Sequence, residues 1–483
     1  MENTPSHVAR WVSELRSENV PPRILEEVKH QLLSALASAH AGHFSETGRA
    51  LAKHVREWGG NKEATTIPSG EKVPLEHAIC VNTSLGMALN YDDYYVAGPT
   101  PHAVPFCLLA LAERHGLSGR DFLAALVAAD EIGGRLALAL GKSFLDRQLQ
   151  GTPHALAVAV ATSRALGLDA AQTDSALVPV LFHSSRLSPT GFFECEGRLL
   201  LASQLAPLGV RAALLASQGF PAGGERLGEL VRDLTGQPAE RVFEGLGSSW
   251  LSDTLSFKTH PGSVAVAGAV DTTLRLLENH AFDSKKIREV RVQVGPLSLA
   301  VEERLRGKLG EGDARTAILH FSIAYNVAAA LLDKELTARQ FLRERIRDPG
   351  LWRLVERVHV EANDSLRERM PREDPLGWAW EGGSGVHLET MAFHLYPALL
   401  GAAVEVVLED GRKFSARQDI PDGAAGRTPE ERRRHVVEKF RRETRYTLRK
   451  ERMERVIDLV LNLEKAASPQ VRELVRLSCS ERV

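Results

Sequence analysis

The densest group of side chains able to transfer protons lies between residues 90 and 102. Two adjacent carboxylates, Asp92 and Asp93, precede His102, and three of the six tyrosines lie beside them: Tyr91, Tyr94 and Tyr95. A histidine near carboxylates can act as an acid or a base near neutral pH. Glycine and proline in this stretch indicate a loop between apolar helices, where catalytic groups concentrate. An aspartate helix cap among surface tyrosines is the alternative.

Two other segments carry candidate site residues. Lys258 and His260 lie two positions apart beside Pro261 and Gly262, where they could form a cationic pocket for a carboxylate. A solvated turn is the alternative there. His154 opens an alanine-rich helix, and a helix N-terminus lowers a histidine pKa, which favours a neutral base. A capping histidine explains the same position equally well.

Other function classes lack support in the sequence. No G-x-G-x-x-G follows a strand, and Walker, H-E-x-x-H and G-x-S-x-G motifs are missing, as are paired cysteines of the C-x-x-C type. The net charge of −2 over 483 residues argues against nucleic acid as the main partner. A polar N-terminus, scattered cysteines and apolar runs shorter than the ~20 residues of a membrane span predict a cytoplasmic protein that does not bind membranes.

The elements that must position these residues fall into two kinds. Apolar spacing predicts helices throughout the first half, one of them starting at Pro22 and ending near Gly42. Strands are predicted at 287–294, from Val355, and in a hairpin that turns at Asp410-Gly411, with a helix at 322–332. Residues 369–396 are predicted to form a long irregular loop or insertion.

This pattern predicts a mainly α fold with an inserted α+β part. We expect a helical domain at 1–267, an α+β domain at 268–422 and a return to the helical domain at 423–483. The last helices begin at Thr428, a predicted N-cap, followed by Pro429. Residues 427–455 hold twelve Lys and Arg against six Glu. Because acidic and basic residues are interleaved, we favour a solvated helix with i,i+4 ion pairs over a basic patch that binds an anionic partner.

The same segments, read in order, resemble the MmgE/PrpD family, which includes 2-methylcitrate dehydratase, cis-aconitate decarboxylase and iminodisuccinate epimerase. The similarity extends over ~450 residues, and its motifs come in the same order as in the family. These motifs are Asn82-Thr83-Ser84 through Tyr91-Asp92-Asp93, His102, the stretch from Gly191 to Phe220, Lys258 with Pro261-Gly262, His320 through Tyr325, and the Asp410-Gly411 hairpin. The resemblance implies a helical domain built from both chain ends, a smaller α+β lid, a homodimer, and a site between the domains that uses no metal or organic cofactor.

Several family positions are substituted in this chain. Asn90 replaces an aspartate, Tyr94 a threonine and Met87 a histidine, whereas Arg198 replaces a lysine and Leu201 a histidine. A further family histidine aligns near Gln148 or Gln150, a few residues before His154. Asn90 cannot serve as a general base, and Arg198 keeps a cation in the form of a planar fork. The changes predict a less polar pocket than a methylcitrate site.

The resemblance implies proton transfer at a carbon next to a carboxylate, carbonyl or imine, leading to elimination, decarboxylation or epimerisation. We therefore predict a cofactor-free lyase or isomerase acting on a small organic acid, a non-standard substrate of a specialised biosynthetic pathway. The predicted catalytic residues are His102, His154, Lys258, Tyr325 and Asp93, and the predicted substrate-binding residues are Asn90, Tyr94, Arg198, Leu201, His260 and Gln148. The alternatives are a cyclase for a more apolar substrate and a non-catalytic binding protein.

Overall fold

The fold is mainly α-helical with a small α+β part, which confirms the predicted fold class. The computed structural model describes residues 6–96, 98–140, 151–183, 189–309, 316–369 and 392–481. The boundaries at 267 and 422 stay predictions. Two large clusters of buried apolar side chains exist, one within the helical part and one beneath the four-stranded sheet.

The helical part is built from both ends of the chain. Short helical segments and turns with Gly and Pro separate its long apolar helices. The bounds are α1 His7–Glu14, α2 Pro22–Gly42, α3 Glu46–Arg56, α4 Leu75–Met87, α5 Ala103–His115, α6 Gly119–Leu140, α7 Gly151–Ala165, α8 Ala170–Leu181, α9 Pro189–Glu194, α10 Leu200–Ser217, α11 Leu227–Thr235 and α12 Ala239–Val242, and, after the α+β part, α20 Pro429–Thr444, α21 Lys450–Leu461 and α22 Ser468–Leu477.

The α+β part contains a four-stranded sheet in the order β6-β5-β7-β8. Strands β5 and β6 are parallel, whereas β5–β7 and β7–β8 are antiparallel. Helices α13 and α16 cover the face to which the alternating valines of β5 point. The bounds are α13 Val264–Asn279, β5 Ile287–Val294, α14 Pro296–Leu305, α15 Thr316–Leu319, α16 Ile323–Asp333, α17 Arg343–Ile346, α18 Pro349–Val355, β6 Val358–Ala362, α19 Asp364–Arg369, β7 Ala402–Leu408 and β8 Lys413–Gln418.

The remaining strands are two-residue pairs in the helical part. They are β1 Ala64–Thr65 with β2 Lys72–Val73, and β3 Tyr94–Tyr95 with β4 Gly98–Pro99. The predicted helix Pro22–Gly42 and the hairpin at Asp410-Gly411 are confirmed. Most of the irregular segment predicted at 369–396 lies outside the described residues, which omit 370–391.

The prediction that residues 427–455 form a solvated helix is confirmed for one face only, where Arg433, Arg434 and Arg441 are exposed. The segment forms α20 and the first half of α21, and α20 packs along α2. Its buried stripe includes Arg432, Lys439 and Glu443 beside Val436 and Phe440. These positions recur every three or four residues, so the charges lie on the same face as the apolar anchors.

One helix is more apolar than the sequence analysis expected. Glu196–Ser217 is 22 residues long and apolar enough by length and composition to cross a membrane, which overturns the expectation that no run reaches this length. A core helix passes the same test, and 56% of its most apolar window is buried. Helices α4, α7 and α8 pack against α10, which makes up most of this segment.

The C-terminal helices close tightly on the N-terminal half at Gly119. Its backbone N–H donates to the carbonyl of Ala466 over 2.8 Å, and a Cβ at residue 119 would lie 1.6 Å from the Leu463 carbonyl oxygen. We expect Gly119→Ala to lower the free energy of unfolding by about 1–3 kcal/mol, because backbone must move to admit the methyl group. Urea denaturation measures this difference.

Gly228→Ala on α11 is the matched control. Nothing lies within 4 Å of a Cβ at that position, so the free energy of unfolding should stay level or rise by up to about 1 kcal/mol. Equal stability of the two variants would contradict the close packing of the chain ends.

Candidate active site

Two loops from distant parts of the chain lie side by side in the interior of the protein. The aspartate loop, residues 88–96, joins α4 to α5, and the lysine loop, residues 255–263, precedes α13. The backbones of Tyr94 and Ser256 exchange hydrogen bonds of 3.0 and 2.9 Å, and the Gly262 N–H donates to the Leu89 carbonyl over 2.9 Å. This pairing brings the acidic and basic segments of the sequence analysis into one site.

Asp92 and Lys258 form a buried ion pair between these loops. The Lys258 ammonium lies 3.5 Å from the Asp92 carboxylate and donates to the Asn90 carbonyl over 2.7 Å. Burial lowers the pKa of Lys258 from its ordinary value, against the attraction of Asp92. Burial alone would raise the pKa of Asp92, but the charge of Lys258, followed by that of His102, brings it below its usual range.

His102 and His154 meet edge to face beside this pair. Their ring centroids are 4.8 Å apart. Burial lowers the pKa of both, and for His154, where the neighbouring His102 adds to the effect, it falls to about 3. Both imidazoles are therefore neutral at pH 7, as a general base requires.

The hydrogen bonds of His102 define which of its nitrogens is free. Nδ1 lies 3.3 Å from the Thr100 carbonyl, which can only accept, so Nδ1 carries the proton. Nε2 is then an unprotonated acceptor, buried and without a hydrogen-bond partner among the described residues. Nδ1 of His154 is buried and unpartnered in the same way. His102 Nε2 is thus available to take a proton.

Arg198 supplies a second buried cation near Asp92. Its guanidinium stacks over the Phe321 ring at 4.9 Å and lies 2.7 Å from Nδ1 of His320. A guanidinium only donates, so His320 Nδ1 accepts and Nε2 carries the ring proton, unpartnered within the described chain. Burial, with the charges of Arg198 and Lys258, holds the pKa of His320 well below its usual range.

Asp93 has different partners from Asp92, although both side chains line one small cavity. Its carboxylate accepts from the Ser34 hydroxyl over 2.7 Å and lies 3.7 Å from the Lys439 ammonium. Burial raises the pKa of Asp93 to about 6. A cavity of about 10 Å³, the size of one water molecule, lies between the two aspartates and is lined by Gln31, Thr100 and His102 among others.

The other predicted site residues lie at varying distances from this cluster. Tyr325 is buried beneath the sheet, where its hydroxyl donates to the Gln340 carbonyl. His260 lies 3.1 Å from the Leu336 carbonyl and 3.8 Å from Asp271. Tyr94 packs in an apolar cluster with Phe193 and Phe321. Leu201 is buried in the first turn of α10, and Gln148 lies outside the described residues.

Asn90 contributes through its backbone. Its φ of 51° is left-handed, a conformation that asparagine adopts more readily than most residues. The turn aims its carbonyl at Lys258, so the residue that replaces a family aspartate helps hold the active-site ammonium.

Sequence reasoning missed three residues of this arrangement. Asp92 cannot be distinguished from Asp93 in the sequence, because adjacent carboxylates look alike until their partners are known. His320 lies in a family motif, but nothing in the sequence places it at the site. Lys439 was read as solvated, although it lies three residues after Val436 and one before Phe440, on the buried face of α20.

The chain belongs to the MmgE/PrpD family. The MmgE/PrpD N-terminal domain matches residues 6–230 and the MmgE/PrpD C-terminal domain matches residues 260–465. The family resemblance noted in the sequence is therefore confirmed.

Among its relatives are fungal proteins similar over their whole length. The chain is 24% identical over 505 residues to the cis-aconitate decarboxylase-like protein oryM of Aspergillus oryzae, covering 99% of this chain and 98% of that protein. It is also 24% identical over 496 residues to a cis-aconitate decarboxylase of Aspergillus terreus, covering 95% and 93% of the two chains. This low identity is consistent with a divergent member.

The neutral state of His154 predicts a pH dependence of stability. In the unfolded chain a histidine binds a proton near pH 6.5, whereas folded His154 does so only near pH 3. The unfolded state therefore binds more protons below pH 6.5, and the free energy of unfolding falls as the pH drops. We expect His154→Gln to flatten this fall by up to about 1.4 kcal/mol per pH unit.

Chemical denaturation at pH 7, 5.5 and 4.5 measures the slopes. His359→Gln, at an exposed histidine on β6, controls for the change of residue type. Parallel slopes for His154→Gln and the unmodified protein would rule out a neutral buried His154.

Proposed function

We propose that the protein is a lyase that removes a proton from a carbon next to a carboxylate in a small organic acid. The observation that carries the proposal is the free Nε2 of buried, neutral His102 next to the buried pair of Asp92 and Lys258, with Arg198 as a further buried cation whose charge interacts with Asp92. Relatives named as cis-aconitate decarboxylases or as similar to them support a lyase-type reaction. Isomerisation through the same proton abstraction belongs to the same proposal.

The roles follow from the charges of the cluster. His102, with His154 against it, is the base; Lys258 and Arg198 bind carboxylate groups of the substrate. As the C–H bond breaks, His102 Nε2 takes the proton and the electron pair spreads onto the adjacent carboxylate, where preorganised buried cations stabilise the charge more strongly than water does. In an elimination the pair then forms a C=C bond as a group leaves the neighbouring carbon, and in an isomerisation it takes up a proton again. Asp92 holds the Lys258 ammonium in place. His320 Nε2–H is a further donor for an oxygen of the substrate.

The substrate class follows from the number and kind of cations. Two cations suit a dicarboxylate, and the fork of Arg198 suits bidentate binding. Leu201 adds an apolar side chain in the first turn of α10, three residues after Arg198, which favours a substrate less charged than methylcitrate. We propose a specialised biosynthetic role, no metal or organic cofactor, a homodimer and a cytoplasmic location, all of which stay predictions.

The experiment is turnover of small di- and tricarboxylates, cis-aconitate first, in D2O. Proton NMR follows deuterium incorporation and product formation, and released CO2 is measured in parallel. We expect His102→Gln, His154→Gln and Lys258→Met each to lower kcat by more than about 100-fold, the usual contribution of a proton-transferring or charge-stabilising group.

His359→Gln and Lys450→Met, both at exposed positions, are the matched controls and should keep full activity. Unchanged rates in all three site variants would overturn the assignment. Failure to bind or turn over any carboxylate, with binding of an apolar substrate instead, would point to the cyclase alternative. Absence of any turnover would leave a binding protein.

A further inference from the structure

Lys439 is a fully buried cation behind the proposed active site, and the reaction does not use it directly. Its side chain, 0% exposed, reaches from α20 to the aspartate loop. The ammonium donates to the Ser34 hydroxyl over 2.7 Å and to the Tyr91 carbonyl over 3.4 Å, and it lies 3.8 Å from the centre of the Tyr91 ring. A buried ammonium is costly unless it is paired and hydrogen-bonded.

The partner of Lys439 is Asp93, which is adjacent in sequence to Asp92. The Ser34 hydroxyl joins the two, since it accepts from Lys439 and donates to Asp93. The order of pairing is therefore Lys439 with Asp93 and Lys258 with Asp92. Other titratable groups interact electrostatically with Lys439 or Asp93. They are Asp92, Asp130, Lys258, His260, Arg442, Glu443, Tyr94 and Tyr95.

This order matters because Lys258 lies within the field of both aspartates. An uncompensated Asp93 carboxylate would compete with Asp92 for the Lys258 ammonium. We propose that Lys439 is a positioning residue that neutralises Asp93, so that Lys258 stays with Asp92 and faces the substrate. The expected effect on turnover rests on the proposed function, whereas the expected position of the Lys258 ammonium does not.

Titration of the pair supports this role. Burial raises the pKa of Asp93 to about 6 and lowers that of Lys439 to about 8, so both are charged between these values. Without Lys439 the pKa of Asp93 rises further, since the lysine charge lowers it. Asp93 then ionises at a higher pH and without the Lys439 ammonium as its counter-charge. Its negative charge attracts the Lys258 ammonium instead.

The test is a double-mutant cycle of Lys439→Met and Asp93→Asn, with kcat/KM measured from pH 5.5 to 8.5. We expect Lys439→Met to lose activity at a lower pH than the unmodified protein, with kcat/KM at pH 7.5 lower by about 10-fold, because Asp93 ionises there without a charged partner, whereas Lys439 of the unmodified protein is still charged. Lys439→Met/Asp93→Asn should return to within about 3-fold of the unmodified protein, because no charge is left unpaired. The double variant should also lack the loss of activity that Lys439→Met shows as the pH rises. Lys450→Met is the exposed control.

A merely structural Lys439 predicts the opposite ranking, with the double variant at least as impaired as the single one. That ranking, or a pH profile unchanged in Lys439→Met, would overturn the proposal. Thermal unfolding confirms that each variant is folded before its kinetics are compared.

Crystal structures at pH 7.5 give a readout that needs no substrate. In Lys439→Met the Lys258 ammonium should lie nearer to Asp93 than to Asp92, and in the double variant it should return to Asp92. A Lys258 position identical in both variants would overturn the proposal whether or not the protein turns over a carboxylate. Absence of turnover with the expected movement would overturn only the proposed function.

Discussion

The buried pair of Lys258 and Asp92 is the constraint on which the rest of the site depends. An ammonium placed in the core loses its hydration, and the loss is tolerable only with a counter-charge and hydrogen-bond acceptors at fixed positions. Asp92 provides the charge and the Asn90 carbonyl the acceptor. Because these groups come from one loop and Lys258 from another, the two loops must be held rigidly together.

The helical part meets this requirement with both ends of the chain. Ser34 and Ser38 of α2 bond to the aspartate loop from one side, and Lys439 of α20 reaches it from the other. Arg442 of α20 ties the loops to each other, since it donates to the Tyr91 hydroxyl and to the Thr259 carbonyl. The site can therefore form only once α20 has packed on α2. These helices are distant in the chain, since Lys439 and Ser34 are separated by 405 positions.

Local patterns predicted the secondary structure well. The proline at the start of α2, the apolar spacing of the long helices and the Asp410-Gly411 turn each act within a few residues, so they are visible in sequence. The predicted site was less complete. His102 and His154 do meet, beside the pair of Lys258 and Asp92, but Tyr325 and His260 bond to backbone carbonyls elsewhere.

The sequence by itself determined the fold class, the family and the chemical types that gather at the site. Tertiary structure alone decided which of two adjacent aspartates faces His102 and which faces Lys439. It also decided that the basic helix near the C-terminus buries three of its charges. The physical reason is that the cost or benefit of a charge depends on its dielectric surroundings and on its partners. Those are distant in sequence and become neighbours only when the helices pack.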